Sequence, residues 1–212
     1  MFEQNPTAQP SSRPAVQRRG MERRRAILDT AEALLVEQGY EGATLKAVSE
    51  RVGIPITSVY HYFSDRHQVD AALLQRHMGA LDVILAELLD EPGPATLRDA
   101  VDAVVDALLN YFRQHRDCAE VWFAGRDERI DQLVLAFDQA QAERMRTFLV
   151  ERGLLASDTP PLVLQLAFEA GSRLFDVAFR TAPTGDDATI DEARRFVTAY
   201  LETYAAPPTV ED

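Results

Sequence analysis

A chain of 212 residues with 46% apolar content has enough hydrophobic mass to bury a core, and at about 100 to 200 residues per domain it forms one domain or two. No run of about 18 apolar residues occurs and the amino end lacks the apolar centre of a secretory signal, which excludes a membrane-spanning helix and predicts a cytoplasmic chain. The formal charge of −12 argues against a polyanionic partner for the chain as a whole, yet residues 1 to 66 sum to +1 and residues 67 to 212 to −13, so only the amino-terminal part suits a phosphate backbone.

Residues 1–20 combine Arg13, Arg18 and Arg19 with Pro6, Pro10 and Pro14. That composition predicts a flexible basic arm, continued by Arg23, Arg24 and Arg25, fit for phosphate or minor-groove contact. A tail that is basic by accident has the same composition.

Residues 21–66 form a helical head. A first helix carries Ile27, Ala31, Leu34 and Leu35 on one face and stops at Gly39, a residue able to take the left-handed conformation past a helix end. Thr44 is placed as an N-cap, with Leu45, Val48 and Val52 following at helical spacing. Gly53 supplies a positive φ to end that helix and Pro55 presets the φ of the next, so the chain re-enters a helix after about three residues, in the manner of a helix-turn-helix. In this third helix, Pro55 to Phe63, Val59 and Phe63 turn inward at i, i+4, leaving Thr57, Ser58, His61 and Tyr62 to offer donors, acceptors and flat rings to base edges and phosphates. Ile56 fits either the core or a thymine methyl. A bare pattern of this kind also describes a helical corner in an all-α protein; the long helix before it, and a fourth capped by Ser64 and running through Val69, Leu73, Ile84 and Leu88, favour a DNA-reading head.

The run from Arg24 to about Leu74, RRAILDTAEALLVEQGYEGATLKAVSERVGIPITSVYHYFSDRHQVDAALL, resembles the DNA-binding head of the TetR family of transcriptional repressors. The resemblance rests on the AILDTAEALL helix, G-Y-x-G-A-T, A-V-S-E-R-V-G-I and the aromatic cluster ending in Phe63, and covers about a quarter of the chain. It implies that Thr44, Thr57, Ser58, Tyr60, His61 and Tyr62 lie at a DNA surface and that Lys46 can touch a base. Where many members carry a phosphate-gripping lysine at the start of the fourth helix, this chain has Arg66, which keeps the charge and could add a bidentate grip.

Residues 67–206 read as a helical body. Paired caps are expected at Thr96 with Asp99, Asp117 with Glu120, and Thr189 with Glu192. Asp127 opens a long helix ending at Gly153, and Thr159 before Pro160 opens another to about Thr181. The total is an all-α fold of about nine helices, with residues 207–212 as a loose tail. The eighth helix, PLVLQLAFEAGSRLFDVAFR, is apolar around much of its circumference, and Ala167, Ala170 and Gly171 permit close backbone approach. With Phe196 and Tyr200 of the ninth helix these predict a four-helix homodimer interface holding two heads about one DNA turn apart, though the same faces would also serve as ordinary core.

Aromatic and thioether bulk gathers between residues 111 and 179. Packing alone would explain it as core. The family resemblance implies instead an effector pocket near Phe112, Trp122, Phe123, Phe137, Met145, Phe148, Phe168 and Phe175, with Arg126 or Glu169 as polar anchors and an apolar or aromatic occupant. The lone Cys118 reads as a small hydrophobe, or as a redox switch.

No enzyme signature is present: G-x-S-x-G, the P-loop, G-x-G-x-x-G and H-E-x-x-H are all absent, and His61, His67, His77 and His115 stand at no metal-binding spacing. No cofactor, metal or catalytic residue is implied, and the partners expected are double-stranded DNA, a second copy and a small effector. The alternative is a DNA-binding regulator with no effector, constitutive or controlled by a protein. Arginine outnumbers lysine twenty-one to one, the bias of a high-GC and hence bacterial coding genome.

Overall fold

A computed structural model describes residues 13–90, 92–124 and 127–207, and among them there are nine α-helices. Helix α1 spans Arg13–Gly42 and is broken at Gly39, where φ is 68°. The freed amide of Tyr40 donates to Glu120 Oε2 at 3.1 Å, so the break ties the head to the body. Residues 13–20, expected in an unpacked arm, are helical; residues 1–12 lie outside the described residues.

Helices α2 (Leu45–Val52) and α3 (Ile56–Tyr62) follow as the sequence predicts. The Thr44 hydroxyl accepts from Ala47 N, and Gly53 ends α2 at φ 72° with its amide on the Ser49 carbonyl. Ser49 adds a tie across the turn, donating from Oγ to the Ile54 carbonyl at 2.7 Å. Ile27, Leu35, Val48, Val59 and Phe63 are almost fully buried together, which fixes the outward set of α3.

Helix α4 (Arg66–Glu87) is capped by Asp65, not Ser64: Asp65 accepts from Gln68 N at 2.9 Å, and Ser64 Oγ donates to Asp65. A carboxylate is the stronger acceptor beside a helix N-terminus. Helix α5 (Leu97–Gln114) starts under the Thr96 cap as expected. Helix α6 (Arg116–Ala119) runs into a π-helical turn at Glu120–Ala124; its cap position is His115, and Asp117 turns inward, so the Asp117 and Glu120 cap pair does not form.

Helix α7 (Glu128–Glu151) opens under Asp127. Helix α8 (Pro161–Thr181) opens at Pro160 with no side-chain cap, Thr159 being buried instead, and α9 (Asp187–Glu202) is capped by Asp186, which takes both the amide and the hydroxyl of Thr189. Helix α8 packs on α7 and α9, α9 on α5, and α4 on α7, so α4 belongs to both head and body. A short antiparallel bridge, Leu155 with Ala205, pins the chain after α9 to the α7–α8 connection. Among the described residues no helix is long and apolar enough to cross a membrane.

Candidate nucleic-acid interface and interior cavity

With Val59 and Phe63 locked in the core, α3 presents Thr57, Tyr60 and His61 to solvent, Ser58 half-buried beside them. Tyr60 is 52% exposed. Tyr62 is half-buried against the core, its ring edge-on to His61 at 5.4 Å, and Ile56 also packs inward, which removes it from the base-contacting set. Thr44 and Lys46 are exposed at the start of α2; Lys46 has only a loose pairing to Glu50 at 3.9 Å. The exposed Arg24 holds its guanidinium 5.1 Å over the Phe63 ring, bringing the basic stretch of α1 beside the end of α3, and Arg23 is exposed as well. The head therefore gathers neutral hydrogen-bonding groups on α3 with cations at its margins.

Arg66 is used differently from the phosphate grip expected of it. Its guanidinium stacks over the Tyr40 ring at 3.5 Å, donates to the Tyr40 carbonyl and sits 3.5 Å from Asp70. The Tyr40 hydroxyl donates to the same carboxylate at 2.8 Å. Burial pushes the Asp70 carboxyl up, the Tyr40 bond and the Arg66 charge offsetting only part of this. Tyr40 is pushed up to about 12, first by burial and then by Asp70. The charge is thus committed to a partly buried cluster joining α1 to α4.

A cavity of about 80 Å³ lies within the body, between α4, α5, α7, α8 and α9. Phe112, Trp122, Phe123, Phe137, Met145, Phe168 and Phe175 line it. Phe148 does not: it packs at Gly93, with the Arg152 guanidinium 5.3 Å over its ring. Glu169 is exposed on an outer groove with Asp131, Leu135 and Arg173. Arg126 lies outside the described residues. The polar wall residues are Asp138 and Ser172, which residue-type counting missed because lining depends on helix rotation. They also border the outer groove.

Ala167 and Gly171, expected between copies, face this cavity instead, Ala167 being buried. Their small size makes the room. Ala170 and Tyr200 are half-buried, whereas Phe196 is 56% exposed. Leu162 and Leu166 of α8 are also uncovered, at 58% and 44%; their helical spacing could have singled them out.

His77 is buried. Its Nε2 lies 2.6 Å from Asp117 Oδ2 and its Nδ1 2.9 Å from the Tyr111 hydroxyl. Cys118 is fully buried, and that burial, then the neighbouring Asp117 charge, pushes its thiol well up, the reverse of what a redox switch needs.

Residues 27–73 match the family profile described as bacterial regulatory proteins, tetR family, and residues 96–201 the profile described as tetracyclin repressor-like, C-terminal domain. A TetR-family transcriptional regulator from Streptomyces coelicolor has a solved structure with 33% identity, a TM-score of 0.61, and coverage of 86% of this chain and 99% of that one. The repressor NemR of Escherichia coli is 35% identical over 92 residues, 43% of this chain and 46% of that protein, so the alignment spans about half the length of that curated relative. SmeT, the repressor of a multidrug efflux pump in Stenotrophomonas maltophilia, shares the fold at a TM-score of 0.63 and 19% identity, over 89% of this chain and 96% of that one.

Proposed function

The chain belongs to the TetR family of bacterial regulatory proteins, and on that premise we propose that it is a DNA-binding transcriptional repressor released from its operator by a small apolar effector. Residues 21–66 form the reading head and residues 67–206 the effector-binding and dimerising body. The observation that carries this is α3: Val59 and Phe63 clamp it into the core while Thr57, Tyr60 and His61 stand free, an arrangement that suits insertion into a major groove. Thr44, Lys46, Ser58, Arg23 and Arg24 extend the contact to base edges and phosphates. Tyr62 supports the surface from behind, and Arg66 holds α4 to the head.

Two copies present two heads to successive major grooves, paired through α8 and α9, where Leu162, Leu166 and Phe196 are uncovered. The effector occupies the cavity. A wall of rings with Asp138 and Ser172 among its lining suits an apolar or aromatic occupant. Because α4 packs against both the head and α7, an occupant that shifts α4 changes the spacing between heads. To relieve repression the effector must bind the non-reading conformation more tightly, by roughly 1 to 3 kcal/mol for a modest switch.

The small volume of the cavity keeps a second reading in play, a DNA-binding regulator with no small-molecule effector. One experiment separates the two: selection of bound fragments from random DNA, repeated with lipophilic compounds that raise the melting temperature of the protein. No salt-sensitive affinity for any DNA pool would overturn the regulator reading. Affinity that no stabilising compound relieves would leave the second.

A further inference from the structure

Every polar group of Tyr40 is held from elsewhere in the chain. Its hydroxyl donates to Asp70 at 2.8 Å, its carbonyl accepts from Arg66, and its ring lies 3.5 Å from the same guanidinium, all on α4. The amide is held differently: freed by the break at Gly39, it donates to Glu120 Oε2 at 3.1 Å, 80 positions along the chain. Tyr40 stands just before Thr44, the cap of α2, so its position sets where the α2 and α3 pair departs from α1. Glu120 opens the π-helical turn Glu120–Ala124, and Trp122 and Phe123 of that turn line the interior cavity. One short turn therefore supplies both cavity wall and a hold on the head.

We infer that this turn couples the cavity to the head through the Glu120–Tyr40 bond, with Glu120 as a positioning residue acting apart from the packing of α4. The amide freed by a half-buried helix break needs one acceptor, and water can supply it. A carboxylate brought from the body satisfies the same amide and also ties the two parts together there. A π turn closes its hydrogen bonds over i→i+5, one residue more than an α-helix, and turns of this kind are frequent at functional sites. Displacement of the Trp122 or Phe123 ring is taken up by a change of register within the turn, which moves Glu120 without unfolding the segment. The turn packs against α1, α4 and α8, so it borders both the head and the cavity wall. Coupling between binding sites is reciprocal, and DNA on the head must therefore act on the turn just as an occupant of the cavity does.

The chain has a single tryptophan. It is Trp122, 3% exposed and edge-on to Phe112 and Phe137 at 5.2 and 5.8 Å. Its emission reports the turn, and a duplex bound at α3 does not touch a side chain buried in the body. The duplex enriched from a random pool by the unaltered chain is added to saturation while emission is recorded, with excitation at the red edge of the tryptophan band, where DNA absorbs little. Anisotropy of a labelled copy of that duplex gives the affinity in parallel. The same titrations are made on Glu120→Ala, which removes the acceptor, and on Glu120→Gln, which keeps a neutral one. Circular dichroism checks that each variant keeps its helices.

The expected result is a change of Trp122 emission at saturation in the unaltered chain and in Glu120→Gln, and a change several-fold smaller in Glu120→Ala although the duplex still binds. A merely structural tie would lower the melting temperature of Glu120→Ala and leave its emission change at full size, which overturns the link. The link rests on α3 contacting DNA: a chain that enriches no duplex overturns that reading and the link together. A duplex that binds the unaltered chain without changing its emission leaves the DNA reading standing and overturns the link alone. Glu120→Gln behaving as Glu120→Ala overturns the hydrogen bond as its carrier. Should Glu120→Ala lose its helices, hydrogen exchange across the peptide holding Tyr40 in the unaltered chain decides: DNA must alter its protection, and identical protection with and without DNA overturns the link.

Discussion

His77 Nε2 and Asp117 Oδ2 meet at 2.6 Å with both side chains buried, and this contact joins the helix shared by head and body to the start of α6. One arrangement satisfies every group: Nε2–H donates to the carboxylate while Nδ1 accepts from the Tyr111 hydroxyl at 2.9 Å. Burial raises the Tyr111 phenol far above its ordinary range, so it keeps the proton it donates. Asp117→Ala should leave a buried imidazole nitrogen without its partner, a loss of about 2 to 3 kcal/mol, read as a melting temperature lower by roughly 2 to 4 °C per kcal/mol. An unchanged melting temperature would mean that water replaces the carboxylate.

The same pair predicts a pH dependence. Burial pushes the Asp117 carboxyl up, but the hydrogen bond from His77, the attraction of the imidazolium form and the backbone hydrogen bonds of Asp117 and Cys118 together outweigh it and leave the group below its ordinary value of 3.8. A carboxyl depressed in the fold contributes stability that is present above the unfolded value and lost as pH falls through the folded one. The stability gap between the unaltered chain and Asp117→Asn, measured by urea unfolding, should therefore hold at neutral pH and shrink as pH drops below 3.8. A gap independent of pH would sink this account.

Arg66 separates a structural charge from a DNA-binding one. Its guanidinium stacks on Tyr40 and faces the buried Asp70, so Arg66→Ala should lower the melting temperature while leaving the salt dependence of DNA binding unchanged. If Arg66 held a phosphate, the slope of log affinity against log salt would fall by about 0.9. Fluorescence anisotropy at several salt concentrations makes the measurement.

How much of this was legible in the sequence follows from how far each signal reaches along the chain. Thr44, Gly53 and Pro55 act on their immediate neighbours, and the second and third helices form where those residues put them. Cap positions slipped by one to three residues because acceptors stand side by side: Asp65 takes the role read for Ser64, and Asp186 that read for Thr189. Asp117 had a plausible local use as a cap and was lost to His77, forty positions away. Arg66 likewise joins Tyr40 across α1 and α4. In the body, rings could be assigned to a common region, but Phe137 and Phe148 share nearly one face of α7 and differ in height along it by about 16 Å, and which height meets the cavity is set by packing no local pattern encodes.

On the recognition helix, exposure divides the roles. Tyr60 carries its hydroxyl on a largely exposed ring, suited to a phosphate, and Tyr60→Ala should weaken binding to all sequences alike. Thr57→Ala and His61→Ala, which remove groups able to pair with base edges, should instead change the ranking of sequences, by about 1 to 3 kcal/mol per lost base contact. Binding of a randomised DNA pool followed by sequencing tests both. Uniform loss from all three would contradict the division.

Ala167 distinguishes cavity from interface. It is buried and lines the cavity, so Ala167→Leu should extend into a space of about 80 Å³ and abolish the stabilisation given by any lipophilic compound that raises the melting temperature of the unaltered chain. Overpacking could itself destabilise by about 1 to 3 kcal/mol, so the readout is the compound-dependent shift measured against each chain's own baseline. Dimer mass should not change, because the side chain does not reach the surface between copies. Phe196→Asp should do the opposite, splitting the dimer through an exposed position that is not among the cavity-lining residues. If Ala167→Leu splits the dimer and spares the thermal shift, the small residues of α8 serve pairing after all, and the occupant sits elsewhere.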